Sequence, residues 1–128
     1  MRTFLLVGLG GCIGAIGRYS IGEFVKARVP AYPHAGTFAV NMIGCLLIGF
    51  VMQLASGNSN TSQTVRLIVV TGCLGALTTF STFGLETLKL LQENRLAAAG
   101  TNVLGNLLIG LVAVWLGIQV ATLVGATE

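Results

Sequence analysis

Hydroxyl-bearing residues Thr78, Thr79, Ser81 and Thr82 alternate with Phe80 and Phe83 in a stretch otherwise made of glycine and apolar residues. These groups offer uncharged, weak hydrogen bonding and aromatic edges. The phenylalanines are three apart and share a helix face. A ring is negative on its face and positive at its edge, so the pair can aim two edges at a small anion, or can serve as two core aromatics. Asn41, Asn102 and Asn106 add amides at apolar positions. Each amide must find partners there; its NH₂ can donate to an anion, or bond to a neighbouring helix. Taken together, these side chains form a polar track without charge, as suits an ion that is held weakly enough to leave.

The backbone of the same stretch carries its own signal. Thr71-Gly72-Cys73-Leu74-Gly75-Ala76-Leu77-Thr78-Thr79-Phe80-Ser81-Thr82-Phe83-Gly84-Leu85-Glu86 crowds glycines and β-branched residues at mid-membrane depth. Irregular backbone is tolerated there only where it is buried in protein or lines a wet cavity. A break would free carbonyls suited to a hard cation. The alternative is a continuous helix whose hydroxyls bond back to preceding carbonyls, and composition leaves the two open.

Four apolar stretches hold these residues: Thr3 to Gly17, Ala35 to Ala55, Leu67 to Leu85 and Leu96 to Ala126, none containing Asp, Glu, Lys or Arg. A helix crossing the hydrocarbon needs about 20 mostly apolar residues, a length these reach with their flanks. Of 128 residues, 54% are hydrophobic and 9% charged, whereas soluble domains are about a quarter charged. The pattern predicts one integral membrane domain over residues 1–128, with helices near 3–25, 37–55, 64–92 and 96–125. The link from Lys26 to Gly36 holds Pro30, Pro33 and His34, and Ser56 to Gln63 reads as a polar turn. Long apolar runs make a membrane barrel, which alternates in segments of about 10 residues, a poor alternative.

A net charge of +3, scattered along the chain, does not make a nucleic-acid surface. Cys12, Cys45 and Cys73 lie singly in apolar segments and read as small packing residues. Arg2 with the apolar run before Cys12 resembles a signal peptide or lipoprotein site. The run before Cys12 is short and the pattern continues past it, so it is assigned to the first helix. Asn60-Thr61-Ser62 fits a glycosylation acceptor, a triplet common by chance. His34 is the sole histidine, and no Ser or Cys has an identifiable base, which argues against an enzyme.

Short connections imply antiparallel neighbours with both termini on one face. That face carries Arg2 and Arg66; the other carries Lys26, Arg28, Lys89 and Arg95, with Arg18 towards it. The larger count marks the cytoplasm, but the margin is narrow enough to predict insertion in both orientations. Gly10, Gly14 and Gly17 on helix one, with Gly110 and Gly117 on helix four, predict close backbone packing. That leaves little room for a wet pore in one subunit and points to an oligomer.

At this point Gly36-Thr37-Phe38-Ala39-Val40-Asn41 with Gly44 and Gly49, Thr71-Gly72, Gly75 and Thr78-Thr79-Phe80-Ser81-Thr82-Phe83 resemble the CrcB/Fluc fluoride channels. Gly14-Ala15 and Arg18-Tyr19 also fit that family's first helix, and the resemblance runs through essentially the whole chain. It implies an all-α membrane protein with four transmembrane helices per subunit, a break in the third, and an antiparallel dual-topology homodimer with two fluoride pathways. In it Phe80 and Phe83 are the pore-facing rings and Asn41 the nearby amide donor. Ser81 and Thr82 extend the polar track, and Asn106 falls where a small polar residue is usual. Carbonyls of Gly75 and Thr78 from both subunits hold a structural sodium ion. Arg18 either attracts anions at a vestibule or snorkels to headgroups. Asn102 stands where some members have tyrosine. Glu86 is either a vestibule carboxylate or relay partner, or a packed and partnered acid.

The implied activity is passive fluoride export that relieves fluoride toxicity, in a bacterial inner membrane. The main rival is a small multidrug-type proton-coupled exchanger, which needs a membrane-embedded carboxylate. Helix one has no acid before Glu23, and Glu86 stands near the end of helix three. A non-transporting assembly subunit is a second rival, and it leaves the Asn and Thr track unexplained.

Overall fold

The computed structural model describes residues 1–57 and 63–125. The Asn60-Thr61-Ser62 triplet and most of the turn around it lie outside the described residues. Among those residues the chain is all helix and turn, and four spans are long and apolar enough to cross a membrane. Helix α1 is Arg2–Arg28 and α2 is Ala35–Gly57. The third span divides into α3 (residues 63–77) and α4 (Phe80–Gln92), and the fourth is α5 (Leu96–Gly125).

Helix α1 carries Lys26 and Arg28 inside its last turn, beyond the expected end at residue 25. Cations there complement the helix dipole. Lys26 donates to the Glu23 carboxylate at 2.9 Å, and the Arg28 guanidinium lies 4.6 Å from the centre of the Phe24 ring. Such pairs suit a headgroup boundary. Val29 leaves the helix immediately before Pro30, where the α region is disfavoured. At the α4–α5 turn Asn94 takes φ 56°, a left-handed conformation that asparagine tolerates.

Glycine sets the packing. A Cβ at Gly10 would strike the Ile68 carbonyl, and one at Gly14 the Cys73 carbonyl, so α1 lies directly on the α3 backbone. Gly49 and Gly117 bring α2 equally close to α5, against Val114 and Leu46. Backbone contact of this kind holds membrane helices together where apolar burial gives no drive. Residues 66–74 and 105–109 widen to the π-helical spacing, a form that recurs at functional sites. The first precedes the division of the third span, and the second contains Asn106. The cysteines are free, and Cys45 packs where Gly110 leaves space.

The buried apolar core is thin, with Val40, Leu74, Leu77, Phe83, Leu90, Ala99 and Ala121 in it. Phe4, Leu9, Ile13 and Ile16 on α1 and Leu104, Leu108, Leu111 and Trp115 on α5 point outward. Apolar faces of this extent mark lipid or a partner. The chain is an all-helical multi-pass membrane protein.

Candidate functional site

The third span is broken at Thr78 (φ −79°, ψ 155°) and Thr79 (φ −148°, ψ 108°), both extended. Two β-branched residues suit that geometry. The break decides between the two backbone readings of this stretch. Thr78 does bond its hydroxyl back to the Leu74 carbonyl at 3.2 Å, but Thr79 does not continue the helix. Its N–H donates instead to Asn41 Oδ1 at 2.9 Å, and its hydroxyl accepts the Thr82 N–H at 3.3 Å as the N-cap of α4. In an unbroken helix those two N–H groups would return to the carbonyls of Gly75 and Thr78. Both carbonyls are therefore deprived of their usual donors.

Asn41 meets the break from α2. Its Nδ2 donates to Asn106 Oδ1 at 3.0 Å, with a long 3.5 Å contact to the Thr79 carbonyl. Asn106 Nδ2 donates to Asn102, to the carbonyl at 3.0 Å and to Oδ1 at 3.2 Å. Asn102, itself buried, donates to the Thr87 hydroxyl at 2.9 Å, and Thr87 donates to the Phe83 carbonyl at 2.8 Å. The three asparagines thus form one continuous string. Thr87 was missed in the sequence, although it completes an i, i+3, i+7 stripe with Phe80 and Phe83 that was there to be read.

Phe80 and Phe83 pack with ring centres 5.5 Å apart and planes tilted by 57°. Phe83 is buried, whereas Phe80 is 79% exposed in the single chain. Both line an open cleft of about 340 Å³ together with Asn41, Asn106, Gly75 and Thr78. The structure therefore brings together the ring pair, two of the amides and both candidate cation-binding residues. Among the described residues no cluster of His, Cys, Asp and Glu could hold a metal. The donor chemistry at Gly75 and Thr78 is neutral carbonyl oxygen, which fits a hard monovalent cation.

A second cleft of about 270 Å³ shares Thr79 with the first and is lined by Arg18, Glu23, Lys26, Thr37 and Thr82. Arg18 and Thr82 are placed here, away from the ring pair. Ser81 is exposed and its hydroxyl lies 3.3 Å from that of Thr79, while Thr82 Oγ1 lies 3.0 Å from the same atom. Glu86 accepts the Thr37 hydroxyl at 2.8 Å beside the start of α2, and its Oε2 is buried with no protein partner. It is thus a packed acid with one oxygen left over.

The chain is similar to known proteins along nearly its full length. Residues 5–118 match the family model described as CrcB-like protein, Camphor Resistance (CrcB). A protein of Geotalea daltonii named fluoride-specific ion channel FluC is 43% identical over 122 residues, covering 94% of this chain and 98% of the relative. Proteins of the same name from Acidobacterium capsulatum and Stutzerimonas stutzeri are each 40% identical, covering 91% and 96% of this chain and 94% and 99% of the relatives. A family model matched over residues 5–118 and relatives matched along nearly the full length lead to one assignment: the chain belongs to the CrcB family.

Proposed function

We propose that this protein is a fluoride-selective channel that lets fluoride leave the cell down its gradient and so relieves fluoride toxicity. The observation that carries the reading is the cleft in which the Asn41 amide and the Phe80–Phe83 pair meet. Fluoride is small and strongly hydrated, so it crosses only where several donors replace its water. The Asn41 N–H that reaches Thr79 only at 3.5 Å is available for that purpose, as are ring edges. The names of the FluC relatives support the same substrate.

The 79% exposure of Phe80 and the open side of its cleft support a second copy closing the pathway. In the full reading that copy is inverted, giving a dual-topology homodimer with two fluoride pathways in a bacterial inner membrane. Carbonyls of Gly75 and Thr78 from both copies would hold a structural sodium ion. Such an ion supplies fixed positive charge where two helix breaks meet.

Purified protein in liposomes tests the function. Fast fluoride efflux with negligible chloride efflux is expected, and Phe80→Ile and Phe83→Ile should each lose most of it. The unpartnered Glu86 Oε2 is the feature that favours a proton-coupled multidrug-type exchanger. Drug-driven proton exchange without fluoride efflux would establish that rival instead.

A further inference from the structure

The asparagine string has a direction, and both its ends are fixed by backbone. At one end the Thr79 N–H can only donate, so Asn41 must present Oδ1 to it and turn Nδ2 towards Asn106. At the other end the Phe83 carbonyl can only accept, so the Thr87 hydroxyl spends its proton there. Thr87 Oγ1 is then left as an acceptor for Asn102 Nδ2, which turns Asn102 Oδ1 towards Asn106 Nδ2. The Asn102 carbonyl, which can only accept, also takes Asn106 Nδ2 at 3.0 Å, so backbone and side chain of Asn102 ask for the same sense, and Asn106 presents Oδ1 to Asn41. An amide's two ends are nearly the same shape, so its orientation is set by such partners alone. Here the two anchors demand the same sense.

Those anchors, Thr79 and Phe83, bracket the first turn of α4, which carries the ring pair. The string therefore leaves from one end of the ring-bearing turn, crosses α2 and α5, and returns to the other end. We infer that Thr87 and Asn102 are positioning residues: without touching the ion, their side chains brace the amide orientation that the Asn102 carbonyl and the Thr79 N–H also ask for, and so steady the Asn41 N–H aimed into the ring cleft. This rests on the fluoride-channel reading for its consequence in transport, but the orientation itself can be measured independently.

The hydroxyl of Thr87, not its bulk, should matter, which separates positioning from packing. Thr87→Val keeps the shape and removes the acceptor, whereas Thr87→Ser restores it. In liposomes Thr87→Val is expected to weaken the fluoride concentration dependence by about tenfold, the upper worth of one net hydrogen bond. Thr87→Ser should return it to the wild-type value. In parallel, side-chain amide signals of Asn41 and Asn106 in isotope-labelled protein should move in Thr87→Val and move back in Thr87→Ser. Asn102→Leu, which removes the donor to Thr87 and the side-chain acceptor for Asn106 without adding charge, should resemble Thr87→Val in both measurements and covers the case in which that variant fails to fold. Unmoved amide signals in the folded variants, or equal behaviour of the Val and Ser variants, would overturn the inference. Amide signals that move as expected in a wild-type protein without fluoride flux would leave the orientation device standing and refute the channel reading alone.

Discussion

Asn41 does two jobs with one side chain. Its Oδ1 satisfies the Thr79 N–H that the break strands inside the membrane, and its Nδ2 serves Asn106 and the cleft. Asn41→Leu orphans the donor and the Asn106 oxygen together. A stability loss of about 1–3 kcal/mol is expected for each such buried group, seen as a lower melting temperature in detergent, along with lost flux. Asn41→Asp still accepts from Thr79 but sets a buried carboxylate oxygen against the Asn106 oxygen, so its melting temperature should fall as well. Fluoride efflux should vanish too, because a carboxylate has no N–H to offer and repels the anion. That Asn41 needed a partner was legible from its type and setting. That the partner would be Thr79 was not, because the contact spans 38 positions and depends on how α2 lies across the break. Thr87 went unnoticed because a threonine bonding to the fourth preceding carbonyl looks like ordinary helix, and its second role appears only once Asn102 reaches it.

At the scale of elements, the break is held open by a close approach of α2. A Cβ at Gly44 would run into the Thr78 methyl group, so Gly44 gives the extended segment its room. Gly44→Ala should destabilise by about 1–3 kcal/mol through overpacking and displace the freed carbonyls. Adding Thr78→Ser removes the offending methyl and should recover most of that loss, which thermal melts of the single and double variants would show. The sequence contained the four spans in its apolar runs and the packing stripe in Gly10 and Gly14. It left break and helix as alternatives, since threonine accepts either backbone until a tertiary acceptor such as Asn41 claims the N–H. The π-helical widening of 66–74 and 105–109 has no local sequence mark, because it follows from packing against neighbours. The helix ends also differ from the expected ones where charged residues such as Lys26 and Arg28 remain helical while reaching water.

For the whole molecule, the outward apolar faces mark lipid or a partner, and the proposed second copy has its own test. Cysteine crosslinking across the cleft beside Phe80 should trap a dimer in membranes. A tag on the C-terminus should be reached from both sides of the bilayer, as the near-even spread of Lys and Arg predicts. Access from a single side would reject insertion in both orientations. If a cation is held at Gly75 and Thr78, exchanging sodium for a much larger monovalent cation should slow fluoride efflux and lower the dimer's melting temperature.

Thr79 belongs to the walls of both clefts. A substitution at this one residue therefore reshapes the lining of both at once, so no change there can be read as acting on the ring cleft alone.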